Sequence, residues 1–239
     1  MALFSYDGWL FLLRWFHFLA GITWIGLLYY FNLVQTPFFA GAEAPVRTGM
    51  IAGGLVSRAL WWFRWGAMFT FLTGWLIIFH RMGQLGVLGF FNTPYGWVIF
   101  FGGMLGSLMW FNVWFVIWPA QQVVMASATQ ASKGGQAIPE AAARGQRAGF
   151  ASRTNTLLSI PMLFFMGAAS HFTFLTQMSR GAKVGAMIFL LVVLAVMEYN
   201  AMVGTTGSGK KMLSTVKGTL WGGFILTAIL FVGLRILFR

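Results

Sequence analysis

His17, His80 and His171 are the only three imidazoles in this 239-residue chain, and each falls in or at the end of a different long apolar stretch. Cysteine is absent. That excludes disulfides, thiolate metal sites, iron–sulfur clusters and covalent c-type haem attachment. A metal or haem would have to use His, Met or oxygen ligands. Ionisable groups inside a membrane are expensive to keep and mark functional sites by default.

Depth and neighbours narrow the chemistry. His17 lies about eight residues into its stretch and His171 about seven residues before the end of its own. At 1.5 Å per residue both depths come to ~10–12 Å from one membrane face. One turn deeper, Ala20 and Gly21 follow His17, while Gly167 and Ala168 precede His171. Positions three and four apart share a helix face, so these small residues leave room for something flat and large. A b-type haem needs that space, with His17 and His171 as axial ligands flanked by Gly21 and Gly167. Arg14, one turn outward from His17, would meet a propionate. His80 lacks such space, because Leu76 and Ile77 precede it. It reads as an interfacial residue near a quinone or a donor protein. The competing account is structural: each histidine bonds to a neighbouring helix, and the small residues serve close packing.

Other groups offer less. The 14 methionines suggest copper, but they are spread along the spans without a cluster. Met162 and Met166 lie one turn apart, and Met166 does not share the face of His171. Arg64 and Glu198 each sit about five residues inside the opposite leaflet and are expected to form a structural ion pair, with a proton relay through Glu198 as the sharper alternative. Gly204 to Lys211 (GTTGSGKK) resembles a phosphate-binding loop. It has Lys211 where a magnesium-binding Ser or Thr is required, and it follows a membrane helix rather than a strand, so no nucleotide partner is expected. Gly102 and Gly106 form a G-x-x-x-G pair suited to close helix packing. Pro161 should kink its helix and release the carbonyl of Leu157, with Asn155 and Ser159 at hand to compensate.

The elements that must position these groups are membrane helices. The chain is 59% apolar and 8% charged, with a mean hydropathy of +0.77. Six stretches, about 9–34, 59–80, 95–118, 155–178, 184–203 and 216–237, approach or exceed the ~20 residues needed to cross a bilayer. The expected fold is therefore all-α: a single polytopic transmembrane bundle of about six helices with both termini on one side. Arg47, Arg58, Arg64, Lys133, Arg144, Arg147, Arg153, Lys210, Lys211 and Lys217 fall on the other side, against Arg14, Arg81, Arg180, Lys183, Arg235 and Arg239 on the side of the termini. The richer side is cytoplasmic by the positive-inside rule, which puts the termini in the periplasm. The net charge of +12 serves topology and contact with anionic lipid, not nucleic acid. Pro139-Glu140 marks a helix start and a short surface helix in the longest polar loop, and Ala44-Pro45 marks another.

Four strings carry a family resemblance: Arg14 to Gly26 (RWFHFLAGITWIG), Arg58 to Gly66 (RALWWFRWG), Asn112 to Gln121 (NVWFVIWPAQ) and Ser152 to Pro161 (SRTNTLLSIP) running on to His171. Together they resemble the membrane domain of the bacterial urate hydroxylase family, also known as the urate oxidase N-terminal domain. The resemblance spans nearly the whole chain. It implies a multi-pass plasma-membrane protein that feeds electrons to a cytochrome c. Typical members carry a C-terminal cytochrome c domain, whereas this chain ends at Arg239 without Cys-x-x-Cys-His. The expectation is a haem-b redox subunit passing electrons to an external cytochrome c. The alternatives are a non-catalytic subunit of a larger membrane complex, or urate hydroxylation with a separate cytochrome.

Overall fold

A computed structural model of the chain describes residues 2–172, 174–176 and 178–239. Among the described residues there are helices and no strands. A 3-10 turn, Ala2–Phe4, leads into α1 (Tyr6–Tyr29), which passes through a π-helical segment, Tyr30–Gln35, into α2 (Thr36–Gly41). Then come α3 (Ala44–Ala52), α4 (Leu55–Leu85), α5 (Val87–Phe90) and α6 (Pro94–Phe111). A second π-helical segment, Asn112–Ile117, joins α6 to α7 (Trp118–Ser132). The chain closes with α8 (Ala141–His171), α9 (Arg180–Met202), α10 (Ser208–Leu213) and α11 (Val216–Leu237).

The helix starts follow local chemistry. Ser5, Thr93, Ser179 and Thr215 each accept a hydrogen bond from the backbone N–H three residues on, capping α1, α6, α9 and α11. Pro94 follows Thr93, at the position where a helix tolerates proline. Gly86, at φ +70°, ends α4 in a conformation that few other residues adopt.

Five helical runs are long and apolar enough to cross a bilayer: Tyr6–Gly41, Leu55–Leu85, Pro94–Ser132, Arg180–Met202 and Val216–Leu237. Helix α8 is as long as α4 but more polar, because it lies at the centre. It packs chiefly on α6, α11 and α7, while α1 packs chiefly on α4. Its polar residues Thr154, Asn155, Thr156 and Ser159 are fully buried. Asn155 accepts from the Asn112 amide (3.0 Å) and donates to the Met109 carbonyl (2.8 Å). Ser159 bonds to Tyr29 at 3.0 Å. Such internal pairing is what a low-dielectric interior demands of buried polar groups. The outward, exposed positions are instead apolar, as at Ile188, Val192 and Val196 of α9 or Phe224, Ile225 and Ile229 of α11.

Several expected boundaries change. The third stretch, expected to end at 118, runs on as helix to Ser132. The helix beginning after Pro139-Glu140 is not a separate surface helix but the first turns of α8. The fourth stretch, expected to run to 178, stops being helical at His171. Beyond it the chain is tied back: the N–H and the hydroxyl of Thr176 both donate to the Phe238 carbonyl, at 3.2 and 3.0 Å. Pro161 sits inside a continuous helix, and the Leu157 carbonyl it frees lies against Gly223 of α11. A Cβ at Gly223 would come within 2.8 Å of that oxygen and 2.5 Å of Ile160 Cδ1. At Gly26, by contrast, a Cβ would meet nothing within 4 Å.

Substitution at these two glycines should therefore separate. Gly223→Ala is expected to destabilise the purified protein by about 1–3 kcal/mol through overpacking. Gly26→Ala should be neutral or slightly stabilising, by up to about 1 kcal/mol of helix propensity. Thermal or denaturant unfolding in detergent measures both.

Candidate functional site

A cavity of about 460 Å³ opens between α1, α4, α6 and α8, within the range of small-molecule and cofactor sites. Arg14 and His17 reach it from α1; Thr70, Phe71, Gly74, Trp75 and Arg81 from α4; Tyr95, Gly103, Gly106 and Ser107 from α6; and Met162, Met166 and Ser170 from α8.

His17 is the chemical centre of this space. Thr73 carries one hydroxyl hydrogen, and the carbonyl of Phe69 takes it at 2.6 Å. The Thr73 oxygen, 3.1 Å from His17 Nδ1, must then accept. Nδ1 carries the ring proton, and Nε2 keeps a lone pair. Among the described residues none hydrogen-bonds to Nε2, and this atom is not one of the sealed, unpartnered ones. A hydrogen-bonded Nδ1–H with a bare Nε2 is the state of an imidazole ready to bind a metal. Gly74 makes room for the ring, since a Cβ there would lie 3.0 Å from His17 Cε1.

The other histidines differ. His80 has both nitrogens engaged: Nδ1–H donates to the Leu76 carbonyl (2.9 Å), and Nε2 accepts from the indole N–H of Trp9 (3.2 Å). It staples the first turns of α1 to the end of α4. His171 is exposed at the last residue of α8 and does not line the cavity, where its neighbour Ser170 does. The expected pairing of His17 with His171 is therefore not assembled. The expected depth presumes a helix running to 178, and the true end at His171 carries that ring outward.

Of the expected small residues, neither lines the cavity. Gly21 faces Thr70, with a Cβ position 3.9 Å from its methyl carbon, so it serves the close approach of α1 to α4. Gly167 is exposed with nothing near it. The space comes instead from Gly74, Gly103 and Gly106. The Gly102/Gly106 pair seats methionines of α8: Met166 Sδ lies 3.3 Å from a Cβ at Gly102, and Met162 Cγ lies 3.8 Å from one at Gly106. Arg14 lines the cavity as expected, and Arg81 joins it while donating to Gln84 Oε1 at 2.9 Å.

Arg64 and Glu198 do not pair. The Arg64 guanidinium lies 3.9 Å from the Trp118 ring centroid and 5.0 Å from that of Trp114. Such contacts contribute about 0.5–2 kcal/mol and replace a carboxylate partner. Among the described residues, neither buried carboxyl oxygen of Glu198 has a hydrogen-bond partner. Towards the same end, Asn32, Gln35, Gln121, Ser152 and Arg153 border a polar pocket of about 90 Å³, room for ~3 waters. The lysine of the GTTGSGKK loop is turned inward: Lys210 Nζ donates to the Ala201 carbonyl at 3.0 Å and lies over Phe150.

Thr73 and Gly74 escape sequence reasoning as site residues. The available signal is spacing: Thr73-Gly74 lies two turns from His80, and His17 lies two turns from Trp9.

Arg64→Met and Glu198→Gln should show no coupling. A double-mutant cycle on unfolding free energy is expected to give under about 0.5 kcal/mol, against the roughly 3–5 kcal/mol lost on breaking a buried ion pair.

The comparisons with known proteins bear on the class of molecule. The family model described as urate oxidase N-terminal matches residues 89–230, which run from α5 to near the end of α11. No curated protein and no solved structure matches the chain. His17 and the α1–α4 wall lie outside the matched region, so the cavity's chemistry rests on its own geometry. With five helical runs long and apolar enough to cross a membrane and that match over more than half its length, the chain belongs to the urate oxidase N-terminal family.

Proposed function

We propose that this chain is the membrane part of a urate hydroxylase-like oxidoreductase, holding a b-type haem at His17 and passing electrons to a cytochrome c at the outer face. One observation carries the reading: a histidine that lines a large cavity, with its Nδ1–H fixed by Thr73 and its Nε2 left without a hydrogen-bond partner among the described residues. The surroundings fit a planar, amphipathic group. Phe71, Trp75, Ile77, Ile78 and Ile99 offer apolar walls, and Arg14 and Arg81 offer cations for carboxylates. When bound, haem would supply a one-electron carrier. The residues present do the rest. His17 would ligate it through Nε2, Thr73 holds the tautomer, Gly74 admits the imidazole ring, and Arg14 and Arg81 would supply cations for its carboxylates.

Copper is the weaker fit, because two arginines line the space and no carboxylate does. Among the described residues, no group of three or more His, Cys, Asp or Glu is placed to hold a metal ion. The family description supports urate as the reductant of the wider system, and urate hydroxylation would then use the separate cytochrome. A non-catalytic role as an integral subunit of a larger complex is the outcome if no haem is found.

In this reading α8 is the sixth crossing, and the chain is a multi-pass protein of the bacterial plasma membrane in contact with lipid. Contacts of Tyr6 with His80, and of Phe238 with Trp97 and Thr176, support both termini at one end. The charge distribution assigns that end to the periplasm.

Wild-type protein should give a pyridine-haemochrome signal, lost in His17→Ala. Thr73→Val should retain the fold while weakening haem retention about 10–100-fold, as expected for loss of a partner that orients a ligand. Absence of any haem band in the wild type removes the reading. Topology is open to a separate test, since the native chain has no cysteine. Lys133→Cys should react with membrane-impermeant maleimide only in inverted vesicles, and Gln84→Cys only in intact spheroplasts.

A further inference from the structure

We infer that Met162 is the residue opposite His17 and supplies the second axial ligand, making the site a His/Met haem centre. This rests on the haem reading above. Contacts across the bundle set the level of each helix. His17 meets Thr73 of α4. Two residues on, the Trp75 indole donates to Ser107 of α6 at 3.0 Å. One residue before that serine, Gly106 faces Met162 of α8. Followed across these helices, His17 and Met162 share one level in the membrane. His171 lies nine residues further along α8, which is ~13 Å towards the surface.

Met162 is also the better placed of the two methionines. Both line the cavity, and Met162 is the more buried, at 6% exposed. The glycine at 106 leaves its side chain free of a facing Cβ. Met166 sits one turn further out, with its sulfur and terminal methyl pressed on Gly102 at 3.3 and 3.2 Å from a Cβ position. Its thioether is committed to packing on α6. A thioether is a neutral, polarisable ligand that costs little to bury, and this cavity has no acidic lining residue to serve instead. Paired with imidazole it raises the potential of a haem relative to bis-imidazole ligation. A carrier that delivers electrons to a cytochrome c needs a potential near that of its acceptor.

The test uses the purified full chain, expressed with added haem precursor. Wild type should be six-coordinate, with the weak far-red sulfur-to-iron band in the ferric form and no carbon monoxide binding when reduced. Met162→Leu is close in volume and should fold; it should lose that band and bind carbon monoxide stoichiometrically. Met162→His should restore a six-coordinate spectrum and lower the midpoint potential. Met166→Leu should match wild type. Retention of the wild-type spectrum in Met162→Leu, or transfer of the effect to Met166→Leu, overturns the assignment while leaving haem at His17 intact. A wild-type preparation without haem overturns the underlying reading, and the assignment falls with it.

Discussion

Thr73 has a single hydroxyl hydrogen, and giving it to the Phe69 carbonyl decides the chemistry of the cavity. Had that hydrogen gone to His17, the imidazole would present N–H rather than a lone pair at Nε2. A threonine one turn from a carbonyl on its own helix makes this local bond readily. The bond is short at 2.6 Å, so the hydroxyl is held as an acceptor. The tautomer of His17 follows from the winding of α4. Gly74, next in sequence, then leaves the gap that the ring fills.

The same economy of polar groups shapes the rest of the bundle. Buried away from water, an amide or hydroxyl gains most from a partner inside the protein. Asn155, Ser159, Tyr29 and the Asn112 NH2 group find one around α8, and the local threonine bonds of Thr70 and Thr227 do so within their own helices; among the described residues the Thr154 hydroxyl and Asn112 Oδ1 have none. Arg64 solves the problem differently, by lying on indole faces. Helix α8 carries Thr154, Asn155 and Ser159 because other helices pack around it and shelter them.

Most of the architecture is legible in the sequence. The long apolar stretches, the Ser and Thr caps and the Ala44-Pro45 start all follow from local composition. At the site, His17, Arg14 and Met162 stand out in the sequence, while Thr73 and Gly74 do not. His171 misleads because 172–178 is apolar enough to extend a membrane helix on paper. What holds the chain away from that course is a tertiary bond, Thr176 to Phe238, over 62 positions of sequence. Gly21 and Gly167 stand out by position relative to a histidine, yet which face of a helix meets which neighbour is set by the whole bundle. The Arg64–Glu198 expectation fails for a related reason: matched depth does not fix direction, and the guanidinium lies over the faces of tryptophans instead.

The π-helical segments at Tyr30–Gln35 and Asn112–Ile117 have their own consequence. Each accommodates about one surplus residue in a helix that would otherwise wind regularly. One residue corresponds to about 100° of rotation, so the face that α7 presents is offset by that angle from a straight continuation of α6. The same holds for α2 beyond α1. Insertion and deletion in these two helices are thus absorbed as twist rather than as lost turns.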